Sequence, residues 1–587
     1  MNWKQYKSLP PEKKQDETYY IIGLDIGSES SGIAFFNLLE GIPETIDLSG
    51  GYGKPSIPTV MQYIPETKEW VFGEYAILNQ GAGTEITLKS LAQRLGSFDY
   101  IEVGRKDMSV ASILGLFIKE LLGNVRNINP KAEIVGIVAA IPEKLGQGGQ
   151  EELTRAFKLA GYEKELIALV PSRECILANH YRNRLPQDEK VLLLDYGSRE
   201  VRGGVYQVQT AVAQSDSPRS PSSQDPNSPN NQNPNKPPIS AIAMSSLFNE
   251  KIGTSNIWTE VYGMFETHYH SAVGSKAEIS PKSQQNHSDT AKTSPTPPEH
   301  QQQLNAFTYQ HKDILFQKNI RSKPAKLYYN FVYPPFQKEV THADVGLLIK
   351  PYQQQFSRLI SDTLEKNTGT RPIPLQEIDA VLCVGGGFEM LWAREAVAAA
   401  FGQDKNPMPS KDHMYNKSHM YDKGHMYDKN HIYSKVQMYR NSKLATAEGA
   451  AFVAAVMLEA CEGNTFKIED THQLIGDIGI RAGDVFLPLA ERDTFWWQPH
   501  KPKLVLVNSK IDGELGLSIA QRTPKGEQVI ASHTLTGLPK RPKGTTRLEF
   551  GLDFKSNTRM ILKVSDIGFG ELFPKTGYKQ ELAIQLA

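Results

Sequence analysis

Two aspartates, Asp25 and Asp195, stand in surroundings that could bind a metal ion and phosphate groups. Asp25 lies near the end of the apolar run of residues 19–26, and a small loop that begins with Gly27 and Ser28 follows it. Such a run predicts a strand that is buried on both faces. A carboxylate at its end, beside small residues with free backbone N–H groups, suits a metal–phosphate group. Asp25 is therefore the first candidate site residue.

The same pattern occurs a second time around Asp195, where Gly197 and Ser198 follow the acid. Each copy then enters another apolar strand through glycine. Asp and Gly also form ordinary hairpin turns, and a short pattern can recur by chance. Two strand–turn–strand units at wide separation nevertheless favour a duplicated fold. In such a fold Asp25 and Asp195 could face each other across a cleft.

A third candidate segment is a buried strand, residues 378–384, which leads through Gly385, Gly386 and Gly387 into a predicted helix at Leu391–Phe401. Glycine lets the backbone approach a ligand closely, and a helix N-terminus favours anions. Three glycines alone are also compatible with a plain strand-to-helix turn. Their order after the two hairpins favours a ligand-binding turn.

The composition excludes several classes of partner. The 65 Lys and Arg residues balance the 65 Asp and Glu residues among 587, so that no general attraction to nucleic acid or to anionic membranes is expected. Cys175, Cys383 and Cys461 lie far apart, without metal-site spacing or a disulfide framework, which is typical of a reducing cytosol. No signal peptide and no run of membrane-spanning length is present. We expect a soluble cytoplasmic protein.

The chain divides into segments of different texture. Residues 1–18 are polar and predict a disordered tail, whereas strands and helices alternate over residues 19–462 and predict an α/β architecture. Over residues 463–587 helical signals vanish, and short alternating segments predict a β-sandwich. Three polar or repetitive segments inside the α/β part predict flexible insertions. These insertions are residues 214–238, 270–303 and 403–440.

The third insertion holds a hexapeptide array in which histidine recurs at positions 413, 419, 425 and 431. Known zinc sites use tighter spacings and usually include Cys or a carboxylate. A tandem expansion in a surface loop is the favoured interpretation, and weak adventitious metal binding is the alternative. Isothermal titration with zinc or nickel, with the array present and deleted, distinguishes the two.

The order of these parts resembles the DnaK-type heat-shock chaperones, the heat shock protein 70 family of the actin-like ATPase superfamily. Residues 23–27 resemble the first phosphate motif of that family, residues 194–197 the second, and residues 384–387 its adenosine motif. Residues 445–451 resemble the closing helix of the ATPase domain. Residues 535–539 and the strands after them resemble the β substrate-binding domain.

The resemblance implies a two-lobed, actin-like α/β ATPase fold followed by an all-β sandwich that binds protein or peptide clients. It implies ATP or ADP with Mg²⁺ as the cofactor, and Asp25 and Asp195 as catalytic residues that hold the metal through water. The nucleotide-binding residues that it implies are Gly27, Ser28, Gly197, Ser198, Gly385, Gly386 and Gly387.

Several positions depart from the pattern of the family. Glu29 stands where the family has a small hydroxyl residue, and residues 198–200 replace a Gly-Gly-Thr run. Arg202 replaces a later acid, Gln93 falls near the catalytic lysine, and Glu389 falls where an arginine stacks on adenine. The helical lid has no counterpart. Phosphoryl transfer depends on positioned metal and cationic groups, so these replacements predict weak or absent turnover.

We therefore favour a chaperone-like, protein-binding protein with a degenerate nucleotide cleft. The alternative is a slow Mg²⁺-dependent ATPase in which Asp25 and Asp195 orient a magnesium-bound water and Arg94 or Arg199 replaces the lysine. Glu174 could supply the family's further carboxylate near the metal only if its helix shifted register. A sugar or acetate kinase of the same superfamily is disfavoured by the C-terminal β-domain, and sedimentation would test a filament-forming relative. Trp496 and Trp497 are either core or contact residues, and core is favoured.

Overall fold

The computed structural model of the protein describes residues 2–209, 238–274, 298–365, 372–401 and 435–586, with gaps inside these ranges. The chain divides into two compact units, residues 1–141 with 151–468 and residues 142–150 with 469–587. The gaps are residues 15, 17, 49–54, 79–85, 97–98, 144, 313–314, 316–322, 440–441, 470–473, 475, 483–484, 493, 495, 497–499, 524–525 and 557–558.

The chain up to residue 469, which holds the first unit and residues 142–150 of the second, is a mixture of helices and strands. The helices are α1 (Trp3–Lys7), α2 (Pro11–Lys14), α3 (Gly73–Leu78), α4 (Val110–Ile128), α5 (Gln147–Ala160), α6 (Ser172–His180), α7 (Thr254–Gly274), α8 (Pro298–His311), α9 (His342–Glu365), α10 (Leu391–Phe401) and α11 (Ala445–Met457). The strands are β1 (Tyr19–Ile26), β2 (Ser30–Asn37), β3 (Ile42–Thr45), β4 (Ser56–Pro58), β5 (Val60–Ile64), β6 (Glu69–Phe72), β7 (Ile86–Lys89), β8 (Tyr100–Val103), β9 (Lys106–Ser109), β10 (Glu133–Ile141), β11 (Leu166–Pro171), β12 (Glu189–Tyr196), β13 (Val201–Val208), β14 (Ile239–Asn249), β15 (Ala325–Tyr329), β16 (Phe336–Val340), β17 (Ala380–Val384), β18 (Val436–Met438) and β19 (Phe466–Glu469).

Two mixed sheets of the first unit have the same core topology. The first has the order β11-β10-β1-β2-β3, with β4 also paired to β2, and the second has the order β18-β17-β12-β13-β14-β19. In each sheet the aspartate-bearing strand is antiparallel to the next strand of its hairpin and parallel to a later strand. The duplicated pattern that the two hairpins suggested is thus present as a repeated strand order.

Small residues allow helix α11 to pack closely against strand β1 and helix α6. A Cβ atom at Gly23 would lie 2.1 Å from backbone atoms of Ala447 and Ala451. A Cβ atom at Gly449 would lie 2.2 Å from the carbonyl oxygen of Cys175 in α6. Glycine at these two positions is therefore what permits the contact, and α11 packs directly against β1.

The disordered tail predicted for residues 1–18 differs from the structure, which has helices there. Asn2 and Gln5 form a capping box at the start of α1, in which the Asn2 side chain accepts the Gln5 N–H at 3.1 Å. Tyr6 is fully buried and lies edge-to-face against Tyr19 with ring centroids 5.7 Å apart. The polar composition concealed this short capped helix, which a single aromatic side chain anchors.

The predicted insertions lie mostly outside the described residues. Residues 270–274 and 298–303 are described, and they are helical because α7 and α8 extend into the predicted insertion. The last repeat of the hexapeptide array contributes β18, which pairs in parallel with β17. The rest of the array, with its four histidines, lies outside the described residues.

From residue 477 onward the second unit is built of antiparallel strands, as its alternating pattern predicts. Its two four-stranded sheets have the orders β21-β20-β23-β24 and β22-β25-β26-β27, and they share one hydrophobic core. Trp496 packs against this core, and Trp497 lies outside the described residues. Strand β19, predicted as part of this domain, pairs with β14 in the first unit instead. The strands are β20 (Asp477–Ala482), β21 (Val485–Ala490), β22 (Lys503–Val507), β23 (Glu514–Thr523), β24 (Gly526–Thr536), β25 (Thr546–Ser556), β26 (Arg559–Asp566) and β27 (Lys579–Gln585).

Two sequence-wide features have structural counterparts. Cys175, Cys383 and Cys461 are all free thiols. In the part of the chain that the structure describes, none of the helices combines the length and the apolar character needed to cross a membrane.

Candidate functional site

Asp25 and Asp195 occupy corresponding places in the two sheets. Asp25 pairs with Gly32 of the antiparallel neighbour β2. Asp195 pairs with Arg202 of the antiparallel neighbour β13 and with Val384 of the parallel strand β17. Each aspartate therefore lies in a strand that is paired on both sides, which fixes its backbone.

The two carboxylates lie close enough to influence each other. Burial raises the pKa of Asp25 to about 7. Burial also raises the pKa of Asp195 to about 7, and the negative charges of Asp25 and Glu200 add to that rise. Among the described residues neither aspartate has a hydrogen-bond or ion-pair partner. Two neighbouring carboxylates without a counter-charge favour a bound proton or cation.

The turn of three glycines lies directly beside Asp195. Gly385 has a φ of +92°, and a Cβ atom there would lie 2.7 Å from Oδ1 of Asp195. A Cβ atom at Gly387 would lie 2.2 Å from the ring of Tyr196. The N–H of Gly385 donates to the carbonyl of Ser442 at 2.7 Å. The structure thus brings the glycine turn and Asp195 together, and only glycine fits the turn.

The loop of the second hairpin is engaged by the start of α7. The N–H of Gly197 donates to the carbonyl of Glu200 at 3.0 Å, within the hairpin. The carbonyls of Gly197 and Ser198 accept the backbone N–H groups of Thr254 at 3.2 Å and Ser255 at 2.8 Å. The N–H of Gly197 and the carbonyls of Gly197 and Ser198 are therefore already hydrogen-bonded within the protein.

In the loop of the first hairpin, Glu29 is held by a cation and a hydroxyl. Its ion pair with Lys312 has an N–O distance of 2.7 Å, and the Thr254 hydroxyl donates to the other carboxylate oxygen at 3.3 Å. Burial acts to raise the pKa of Glu29, but Lys312, Lys443 and the hydrogen bonds outweigh burial and lower the pKa. Glu29 is therefore an ionised carboxylate at neutral pH.

The loop of the second hairpin carries two further paired side chains. The guanidinium of Arg199 donates to the side-chain oxygen of Gln93, which falls near the expected lysine position. Arg202 forms an ion pair with Glu200. Arg94, the other candidate for a replacement cation, is exposed. Neither Arg199 nor Arg202 is thus an unpaired cation.

Glu389 and Glu174, two further acids named from the sequence, differ in burial. Glu389 is exposed at the end of the glycine turn. Glu174 lies buried on α6 and accepts the backbone N–H of Ile468 in β19 at 3.0 Å. Burial raises the pKa of Glu174, against the opposing effects of that hydrogen bond, Lys467 and Arg173. In the register that the structure shows, its carboxylate binds the backbone of β19.

The aspartate pair fits the protein side of a magnesium site. Among the described residues no three His, Cys, Asp or Glu side chains are grouped so that they could hold a metal ion. Mg²⁺ in nucleotide sites, however, is usually bound by one or two carboxylates together with waters and phosphate oxygens. Asp25 and Asp195, which have no cationic partner among the described residues, suit that arrangement.

No local sequence pattern marks Lys312, Thr254 or Lys443, the residues around Glu29. Lys312 and Thr254 lie 283 and 225 residues away from Glu29 along the chain, far beyond the reach of spacing patterns. What could have pointed to a lysine is the physical requirement that a partly buried, ionised carboxylate has a compensating cation, wherever that cation lies in the sequence.

The repeated mixed sheets, followed by antiparallel sheets, define an architecture like that of the heat-shock chaperones of the 70 kDa class. The chain is 20% identical over 561 residues to the chaperone protein DnaK of Thermosipho africanus (strain TCF52B), a match that covers 94% of this chain and 79% of that protein. The resemblance read from the motifs is thereby confirmed as a distant relationship. Residues 42–211 also match a family of unknown function (DUF5716, C-terminal part), and residues 477–586 match a domain of unknown function (DUF8552).

Proposed function

We propose that the chain is a chaperone-like protein that binds protein or peptide clients through its C-terminal β-unit. In this proposal the nucleotide cleft is degenerate, so that ATP or ADP with Mg²⁺ binds weakly or not at all and turnover is weak or absent. The observation that carries the degenerate cleft is that a charged side chain in each hairpin loop is already bound to another residue of the protein. Glu29 is bound to Lys312, and Arg199 is bound to Gln93.

Electrostatics supports a weak cleft. A carboxylate about 4 Å from a phosphate charge costs about 4 kcal/mol at an effective dielectric of about 20. Glu29 is ionised at the loop that the resemblance assigns to phosphate. Gln93 is neutral where the family has a lysine, and Arg199 is committed to it. Several groups needed to neutralise a transferring phosphoryl group are thus replaced or occupied.

Exposed apolar side chains on an edge strand support client binding. Leu504 is 59% exposed and Leu506 is 51% exposed, and both belong to β22, the first strand of its sheet. Extended peptides add to such edges through main-chain hydrogen bonds, and neighbouring side chains give specificity. We expect Leu504→Ser with Leu506→Ser to weaken suppression of client aggregation severalfold. Val485→Ser, at an exposed edge position of the other sheet, is the matched control.

The deciding experiment compares the melting temperature with Mg-ATP, with Mg-ADP and without nucleotide. Binding to the folded state raises stability by about 2.7 kcal/mol at a hundredfold excess over the dissociation constant. We expect little or no shift at millimolar nucleotide, and no hydrolysis above background. Robust ATP hydrolysis that Asp195→Asn abolishes would overturn the proposal.

The second candidate is a slow Mg²⁺-dependent ATPase, which the aspartate pair favours. Asp25 and Asp195 would hold Mg²⁺ through water, and the metal would neutralise charge on the phosphates. The glycine turn beside Asp195 would admit the backbone close to the nucleotide. This candidate predicts strictly Mg²⁺-dependent turnover that Asp25→Asn removes. The absence of any nucleotide-induced thermal shift would dismiss it.

A further inference from the structure

We propose that Glu29 is an internal anion that occupies a phosphate-binding position formed by Lys312, Thr254 and Lys443. Removal of the Glu29 charge should then create a site for the phosphates of a nucleoside diphosphate. The inference rests on the proposed function, which it deepens by naming the residue that keeps the cleft from binding phosphate. We call Glu29, Lys312, Thr254 and Lys443 the Glu29 cluster.

The contacts of Glu29 are those that a phosphate oxygen would make. One carboxylate oxygen accepts from Nζ of Lys312 at 2.7 Å, and the other accepts from the Thr254 hydroxyl at 3.3 Å. Ammonium and hydroxyl donors on one anion form charge-assisted hydrogen bonds, which phosphate accepts as well as carboxylate does. Glu29 follows Gly27 and Ser28 directly, so its carboxylate lies at the tip of the first hairpin.

The cation of the cluster is held in place independently of Glu29. Nζ of Lys312 lies 4.8 Å from the ring centroid of Trp258 and 5.0 Å from that of Tyr309. Cation–π contacts at these distances stabilise a partly desolvated ammonium group. The Lys312 side chain is only 13% exposed. Without the Glu29 charge, Lys312 would therefore stay close to its present position and present a buried positive charge.

A second cation gives the cluster a positive surplus. Lys443 lowers the pKa of Glu29, and its side chain would lie 3.7 Å from a Cβ atom at Gly386 of the glycine turn. Within the described part of the chain Lys443 has no hydrogen bond or ion pair. Two lysines thus face one carboxylate. An anion with more than one charge, such as a diphosphate, matches this charge balance better than the single carboxylate does.

The test is isothermal titration of ADP and of inorganic pyrophosphate into the full-length wild type and Glu29→Gln, at one fixed ionic strength. Gln keeps the size of the side chain and removes its charge. We expect Glu29→Gln to bind both ligands at least tenfold more tightly than the wild type. Tighter binding of ADP alone would place the gain in contacts to the nucleoside and would overturn the proposal.

A second variant assigns the gain to Lys312. In Glu29→Gln with Lys312→Met both charges are absent, and we expect the affinity for pyrophosphate to return to the wild-type value. The control is Glu339→Gln, which breaks the more exposed ion pair with Lys326 in the β15–β16 hairpin. It should leave both affinities unchanged. An equal gain in the double variant, or in the control, would overturn the proposal.

The proposal can still be tested if Glu29→Gln fails to fold. Glu29→Asp withdraws the carboxylate by one methylene group and should give a smaller gain in pyrophosphate affinity, whereas no gain would count against the proposal. The melting temperature without ligand establishes that each variant is folded. Robust ATP hydrolysis by the wild type would contradict the proposed function, whereas equal ADP affinities of wild type and Glu29→Gln would contradict this inference alone.

Discussion

At the residue scale, the protein keeps two carboxylates close together at a cost to its own stability. Asp25 and Asp195 both have a pKa of about 7, against an ordinary value of 3.8, because folding buries them. The folded state therefore binds more protons than the unfolded state between about pH 4 and pH 7. Stability must fall as the pH rises through that window.

We predict that Asp195→Asn stabilises the protein at alkaline pH. The amide cannot ionise, so the cost of a buried charge beside Asp25 disappears. The gain in unfolding free energy should be about 2–4 kcal/mol at pH 8 and below about 2 kcal/mol at pH 5. Urea denaturation at the two pH values, with EDTA present, measures it. A variant that is less stable than the wild type at pH 8 would show that charged Asp195 has a stabilising partner.

At the element scale, the small residues of helix α11 determine how closely strand β1 and helix α6 can approach that helix. Its alanines and Gly449 leave room for the backbone of neighbouring elements rather than filling space with side chains. Glycine inside a helix normally costs about 0.5–1 kcal/mol relative to alanine. At position 449 this cost is outweighed, because a Cβ atom would lie 2.2 Å from the carbonyl oxygen of Cys175.

We predict that Gly449→Ala destabilises the first unit by roughly 3 kcal/mol, because α6 and α11 must move apart. Gly123 in α4 is a matched control, since a Cβ atom there would meet nothing within 4 Å. Gly123→Ala should stabilise by about 0.5–1 kcal/mol through helix propensity. Thermal unfolding of both variants measures the difference. Changes of the same sign at both positions would contradict the close contact.

Strands and turns that are encoded by neighbouring residues could be predicted from the sequence, whereas contacts between distant residues could not. The strand before Asp25, its copy before Asp195 and the glycine turn are short-range patterns, and the structure has strands and a turn there. The contact between Glu29 and Lys312 joins residues 283 positions apart, and no local pattern encodes it. For the same reason the contact of Glu174 with the backbone of Ile468, 294 residues away, could not be predicted from the sequence.

At the scale of the whole molecule, the buried apolar residues of the two units belong to separate clusters, several in the described part of the first unit and one in that of the second. The second unit contains a buried ion pair in which Arg541 donates to both oxygens of Asp566 at 2.8 Å. Burial acts to raise the pKa of Asp566, but hydrogen bonds from Arg541, Thr576 and Gly568 outweigh it and lower the pKa. The stabilisation is therefore present above about pH 4 and is lost as the pH falls further.

Because no hydrophobic cluster is shared between the two units, we predict two unfolding transitions in calorimetry of the full chain. The larger enthalpy should belong to the first unit, because unfolding enthalpy scales with residue number. Asp566→Asn leaves Arg541 without its counter-ion and should destabilise the second unit by about 3–5 kcal/mol. Only the smaller transition should then move to lower temperature, and only the larger one should move in Gly449→Ala. Acidification below about pH 4 should lower the smaller transition in the wild type more than in Asp566→Asn, since the variant has no carboxylate to protonate. A joint shift of both transitions in either variant would mean that the chain unfolds as one cooperative body, so that the aspartate site and the second unit would share a single stability.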